Sequence, residues 1–312
     1  MATLKELSKK TELFSGGHRL CAGCGIPPIV RLILRSTDSH VVASAATGCL
    51  EVGTTIYPYT SWRIPWIHSA FENSAATITG VETAYRALKK RGRIPEDTDV
   101  KFIAFGGDGG TYDIGLQSLS GALERGHDFL YVCYDNGAYM NTGIQRSSAT
   151  PFTSATTTSP AGTVIPGKQE WRKDLTRIVV AHNVPYAAQA SPHNWSDMSK
   201  KATKALATKG PTFLNVMSPC PLGWYTKSED SIKWAKLSVD TCYWPLYEVE
   251  EGKLKITYRP KEKKPLVDWL KPQGRFKHLF RGEEGEKLLE EFQARIDHEW
   301  ERLQELDGKY VY

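Results

Sequence analysis

Short runs of consecutive apolar residues recur along the chain, separated by longer stretches with helix-like patterning. His40–Ala46, Val100–Phe105, Phe129–Tyr134 and Thr212–Met217 are bounded by Gly, Asp or Pro, and runs of this length suit strands covered on both faces. Between them, Pro28–Arg35, Ser69–Lys90, Tyr112–Arg125 and Asn194–Lys209 read as helices. Strands alternating with helices predict βαβ units, hence an α/β fold: a mainly parallel sheet with helices on both faces. Ligands of such sheets bind beyond the carboxyl ends of the strands, so chemistry is to be sought in the residues just past each strand.

The pattern changes near Thr241. TCYWPLYEVEEGKLKITYRP reads as two short strands joined at Glu251-Gly252. Residues 253–281 then carry ten Lys/Arg against two Asp/Glu, and residues 283–307 three against ten. In the acidic block Leu288, Leu289, Phe292, Ile296, Trp300 and Leu303 fall at helical spacing, so a helix with one buried face is expected. The division expected is residues 1–240 as the main domain and 241–312 as a C-terminal extension whose charged arm grips a partner subunit. A further stretch, Ser147–Thr163, is rich in Ser, Thr, Ala and Pro and reads as a long loop, a feature often tied to function.

Composition adds limits. The chain has 312 residues and a net charge of +5, too mild to argue for nucleic acid. No stretch approaches ~18 consecutive apolar residues, so no membrane-spanning helix is expected. The charged N-terminal MATLKELSKKTELFSGG lacks the apolar core of a secretory signal. A cytoplasmic location is therefore the expectation, with the six cysteines reduced, catalytic or metal-bound.

Two motifs carry chemistry. The strand Val100–Phe105 runs into Gly106-Gly107-Asp108-Gly109-Gly110, and the next strand ends in Asp135-Asn136-Gly137. A glycine turn between strand and helix lets the backbone approach phosphate, and an Asp on it offers the hard oxygen that Mg²⁺ or Ca²⁺ takes. Taken alone, Gly-Asp-Gly is common and reads equally as a tight turn. With Asn136 at the end of the next strand, it resembles the thiamine-diphosphate motif. By that resemblance Asp108, Asn136 and the Ala138 carbonyl hold Mg²⁺, and Gly107, Asp108, Gly109 and Gly110 face the diphosphate.

The second motif is a set of cysteines. Cys21-Ala22-Gly23-Cys24 is flanked by glycine, while Cys49 and Cys220 each lie just past a strand. Thiolates are soft ligands that select zinc or iron–sulfur clusters, and four suffice for a four-iron cluster. Cys133 and Cys242 read as buried apolar residues.

Together GHRLCAGCG (17–25), ATGC (46–49), HSAFENSAATITG (68–80), GGDGG (106–110), DNGAYMNTG (135–143) and SPCPLGW (218–224) resemble the β subunits of the 2-oxoacid:ferredoxin oxidoreductases, most closely those acting on pyruvate. The resemblance implies the diphosphate-binding half of a thiamine site. It also implies a 4Fe-4S cluster on Cys21, Cys24, Cys49 and Cys220, with Cys49 touching thiamine as well, and Asn141 as the active-site residue that hydrogen-bonds substrate. Oxidative decarboxylation of a 2-oxoacid with coenzyme A as acyl acceptor is the activity implied. An α subunit completes the site; γ and ferredoxin-like δ subunits, or a soluble ferredoxin, take the electrons. Oxalate or another 2-oxoacid is the alternative substrate, and a non-redox lyase subunit with a structural zinc the more distant alternative. Single-chain relatives often carry Glu after the Cys-Gly pair where this chain has Ile26, so that contact is not carried over. His18 and Arg19 are left between tuning, coenzyme A binding and a structural role, and Glu72 is expected to cap a helix. The loop 142–163 is expected to line or gate the site.

Overall fold

A computed structural model describes residues 3–311. Eight strands form one sheet: β1 (His40–Ala46), β2 (Trp66–Ser69), β3 (Val100–Gly107), β4 (Phe129–Asp135), β5 (Tyr186–Ala190), β6 (Pro211–Met217), β7 (Leu246–Glu250) and β8 (Lys253–Tyr258). Their order is β2-β1-β3-β4-β6-β5-β7-β8. The first six are parallel, and β7 and β8 add an antiparallel hairpin to the edge at β5. The four strands expected from apolar runs stand where the sequence placed them.

The helices, in chain order, are α1 (Leu4–Lys9), α2 (Ile26–Leu34), α3 (Cys49–Thr54), α4 (Ser74–Lys90), α5 (Leu116–Glu124), α6 (Leu175–Val180), α7 (Trp195–Ala207), α8 (Pro221–Trp224), α9 (Ser231–Asp240), α10 (Val267–Leu270) and α11 (Gly282–Leu306). Side chains alternate across the strands, so the sheet builds two cores. Ile103, Phe105, Val132 and Leu214 pack against α2 and α7; Phe102, Ala104, Tyr131 and Phe213 share the opposite core with residues of α4, α5, α6 and α11. The α/β arrangement with helices on both faces is therefore the fold. Local chemistry fixes the helix starts: α2 has prolines in its first turn, where no intrahelical donor is lost, and Asn194 caps α7 by accepting from the Asp197 N–H at 3.2 Å.

Three expectations change. The segment 112–125 is not one α-helix: Gly109–Ile114 forms a wide π-turn, closed by the Gly115 N–H to the Gly110 carbonyl at 2.8 Å, before α5 begins. The helix expected from Ser69 starts at Ser74, because Trp66–Ser69 is drawn into the sheet beside β1. Its N-cap is Asn73, with no side-chain cap bond, so exposed Glu72 is not the cap.

The C-terminal region also differs from an appended arm. Its hairpin continues the main sheet. The basic stretch folds back on the chain, where Trp269, Leu270, Phe276 and Leu279 are fully buried in a third core with Trp224, Trp244 and Phe292. Aromatic area of this size strongly favours burial over an extended course. The acidic block is α11, and of its six expected apolar positions Phe292, Trp300 and Leu303 are the buried ones.

Candidate functional site

Parallel strands β1, β3, β4 and β6 all end at one edge, and the segments that leave them there meet. β3 delivers Asp108, which is 1% exposed; β4 delivers Asn136, 5% exposed. The Asn136 N–H donates to Asp108 Oδ1 at 3.2 Å, and the Ser147 hydroxyl donates to Oδ2 at 2.5 Å. The Asn136 amide oxygen faces Asp108 Oδ1 and the Ala138 carbonyl oxygen, each at 2.9 Å. Three acceptors thus converge with no donor between them. Either the amide turns so that its nitrogen donates, or a hard cation sits among the oxygens, and the donor set suits Mg²⁺. Burial, then the neighbouring Asp135 carboxylate, pushes the Asp108 carboxyl well above its ordinary range; the bonds from Ser147 and Asn136 oppose this.

Asp135, absent from the sequence-based assignment, holds the end of β4 in place. Its Oδ2 accepts from the Tyr112 hydroxyl at 2.6 Å and from Arg172 Nη2 at 2.7 Å, and its Oδ1 accepts from the Gly137 N–H. Arg172 lies in a region with no periodic signal; only its spatial pairing with a buried Asp reveals it. The loop after Asn141 is built in, not hung outside. Ser147, Ala149, Thr150, Thr153 and Ser154 are buried, the Ser148 N–H donates to Asp113, and Thr150 Oγ1 donates to the Gly137 carbonyl at 2.7 Å. Lys168 Nζ secures the loop by donating to the Thr150 carbonyl at 2.8 Å.

The four cysteines come from three segments that touch. The Arg19 N–H donates to the Gly53 carbonyl at 2.7 Å, joining 17–25 to α3, and the Gly25 N–H donates to the Pro219 carbonyl at 2.9 Å. Glycine is required at this junction: a Cβ on Gly23 would lie 2.3 Å from the Ser228 carbonyl oxygen, and one on Gly25 2.6 Å from Pro219 Cδ. Cys21 is exposed and Cys24, Cys49 and Cys220 half-buried; all six cysteines are free thiols, with Cys133 and Cys242 in the core. Burial, and then the proximity of the other thiols, pushes Cys49 up to about 12; burial lifts Cys24 to about 12, with Cys220 and Cys21 adding to it. Buried polar atoms without partners cluster here too: His18 Nδ1, Ser218 Oγ and the Tyr134 hydroxyl, which stands 3.0 Å from where a Gly48 Cβ would be. Orphaned polar atoms on two of the cysteine segments, and on β4 beside the third, fit an inorganic group held among them. Among the described residues no group of three or more His, Cys, Asp or Glu side chains is arranged to hold a metal ion as the chain stands.

A small cavity joins the two halves. Cys49, Gly107–Gly110, Asn136, Ala138 and Asn141 all line it. Asn141 is exposed at its mouth, and Phe71 and Tyr139 meet edge-to-face at 6.0 Å beside it. His18 stacks on Phe14 at 5.5 Å, Arg19 is exposed, and Ile26 is buried in the core of α2.

Comparison with known proteins identifies the family. Residues 46–216 match the model described as thiamine pyrophosphate enzyme, C-terminal TPP binding domain. Over 97% of its length the chain is 52% identical to pyruvate synthase subunit PorB of Thermotoga maritima, of which it covers 94%. The chain belongs to the β subunits of the 2-oxoacid:ferredoxin oxidoreductases. This β subunit is also 54% identical to pyruvate synthase subunit PorB of Methanocaldococcus jannaschii, over 86% of its own length and 91% of that protein's. It is 41% identical to ketoisovalerate oxidoreductase subunit VorB of Pyrococcus abyssi, over 95% and 93%. A solved 2-oxoglutarate:ferredoxin oxidoreductase from Magnetococcus marinus shares the fold at TM-score 0.55 and 19% identity, over 73% of the β subunit and 81% of that chain.

Proposed function

We propose that the β subunit takes part in the reversible oxidative decarboxylation of pyruvate to acetyl-CoA and CO₂, passing single electrons through a 4Fe-4S cluster to ferredoxin. The observation that carries this is the shared cavity, in which Cys49 belongs both to the thiol set and to the wall around Asp108 and Asn136. When bound, thiamine diphosphate supplies an electron sink for the carbon that loses CO₂, and a cluster beside it accepts electrons one at a time. Asp108, the Asn136 amide oxygen and the Ala138 carbonyl would hold Mg²⁺, and the backbone of Gly107–Gly110 would receive the diphosphate. Asn141, exposed beside the cavity, would hydrogen-bond the substrate. Phe71 and Tyr139 shield one wall from water. Cys21, Cys24, Cys49 and Cys220 would hold the cluster, Cys21 being the most exposed of the four.

The rest of the thiamine site is assigned to an α subunit, with γ and ferredoxin-like δ subunits or soluble ferredoxin as further partners and the cytoplasm as the location. No helix among the described residues is long and apolar enough to cross a membrane. Pyruvate is favoured over oxalate and branched 2-oxoacids by the names of the relatives above 50% identity. The test is anaerobic purification of the native complex, iron analysis, and a panel of 2-oxoacids with ferredoxin and coenzyme A. Pyruvate is expected to give the highest kcat/KM; preference for another acid overturns the substrate, and a colourless complex overturns the redox reading.

A further inference from the structure

Arg275 is 3% exposed and makes no ion pair among the described residues, while Tyr243, Cys220 and the Asp135 and Asp108 carboxyls lie near enough to act on its charge. Its guanidinium is caged by aromatic rings, with Cζ 4.6 Å from the centroid of Trp224, 5.1 Å from Phe276 and 5.7 Å from Trp269. The cage is rigid. Arg275 Nε donates to Gln273 Oε1 at 2.9 Å, and fully buried Gln273 is itself anchored by donating to the Trp269 carbonyl at 2.6 Å.

The ring this cation packs against bridges the two halves of the site. Trp224 ends the short helix that Cys220 caps, and its N–H donates to the Cys220 carbonyl at 2.8 Å. The Trp224 indole N–H donates to the Asn136 carbonyl, also at 2.8 Å. Arg275 Nη1 lies 3.1 Å from where a Cβ on Gly137 would stand. A charge taken out of water persists only where opposite charge nearby compensates, and here Cys220 is one such source beside Asp135 and Asp108. A four-thiolate iron–sulfur cluster is an anion in both oxidation states and gains one more negative charge on reduction. A fixed cation beside it therefore stabilises the reduced form more than the oxidised form.

We propose that Arg275 is the built-in countercharge of the four-cysteine cluster and sets its reduction potential upward, acting through space from behind Trp224. The inference rests on the cluster reading above. It assigns Arg275 no contact with substrate, so it is a potential-setting residue and not a catalytic one.

The test is an EPR-monitored redox titration of the native complex, read on the signal that Cys220→Ser removes. Arg275→Met is expected to lower the reduced-to-oxidised ratio at fixed potential tenfold or more, which for one electron is a negative shift of about 59 mV. Arg275→Lys keeps the charge and is expected to keep most of the potential. A Met variant with full iron content and an unmoved potential overturns the proposal. So does a Lys variant that shifts as far as Met, because the effect then belongs to packing. Should the Met variant not assemble, the Lys variant alone decides: near-native potential supports the proposal, and a shifted potential or lost cluster overturns it. A wild-type complex without iron removes the cluster reading itself, an outcome distinct from an unmoved potential in a loaded variant.

Discussion

The site is governed by buried charges that the bare chain leaves incompletely balanced. Asp108 is the clearest: a buried carboxyl beside two further oxygens, it is satisfied either by a cation or by the turned Asn136 amide. Asp108→Asn keeps the size and the Ser147 contact while weakening the ligand. Mg²⁺-dependent retention of thiamine diphosphate by the complex should fall by roughly 10–100-fold or more, as measured by cofactor content after gel filtration. Unchanged retention would remove Asp108 from the metal site. Lys168 makes a different point, since its ammonium has only carbonyl partners and burial, then Arg146 and Arg172, lowers it to about 8. The unfolded value is about 10.4, so the unfolded chain binds more protons between these limits and stability should rise as pH increases from 8 to about 10.4. This contribution is complete above the unfolded value and is lost as pH falls through the folded one. Urea titrations across that range should show the rise in the wild type and not in Lys168→Met; equal slopes would contradict the assignment.

Among the elements, those legible in the sequence owe their form to uniform burial. Val100–Phe105 and Phe129–Tyr134 are covered on both sides, so a plain apolar run marks them. Tyr186–Ala190 is equally buried but escapes notice, because YAAQA has little strand propensity and its pairing with β6 and β7 decides its form. The GGDGG turn and the four cysteines were readable because their chemistry demands particular residue types. Asp135, Arg172 and Arg275 were not, because each gains its meaning from a neighbour distant in sequence. The same reason hid the fate of the basic stretch: Trp269 and Phe276 have no periodic spacing and bury themselves around Trp224 and Tyr243. Trp269→Ala should cost roughly 3–5 kcal/mol, seen as a lower denaturation midpoint. A loss under about 1 kcal/mol would mean that this segment is peripheral after all.

In the whole molecule, the last quarter of the chain completes what the first three quarters begin. The hairpin β7–β8 covers the outer side of β5, and the Lys253–Tyr310 bridge pairs part of β8 in turn. At the opposite edge stands β2, only four residues long. Short edges resist pairing with other chains. During synthesis, however, β5 emerges long before its cover. Leu246 lies 56 residues after Ala190, which at ~5–20 residues per second is a wait of roughly 3–11 s. Throughout that interval one side of the sheet offers unpaired backbone to any neighbouring nascent chain. The order in which the fold is translated thus places its period of greatest exposure between residues 190 and 246, after the glycine turn and Cys21, Cys24 and Cys49 have been made and while Cys220 is being added.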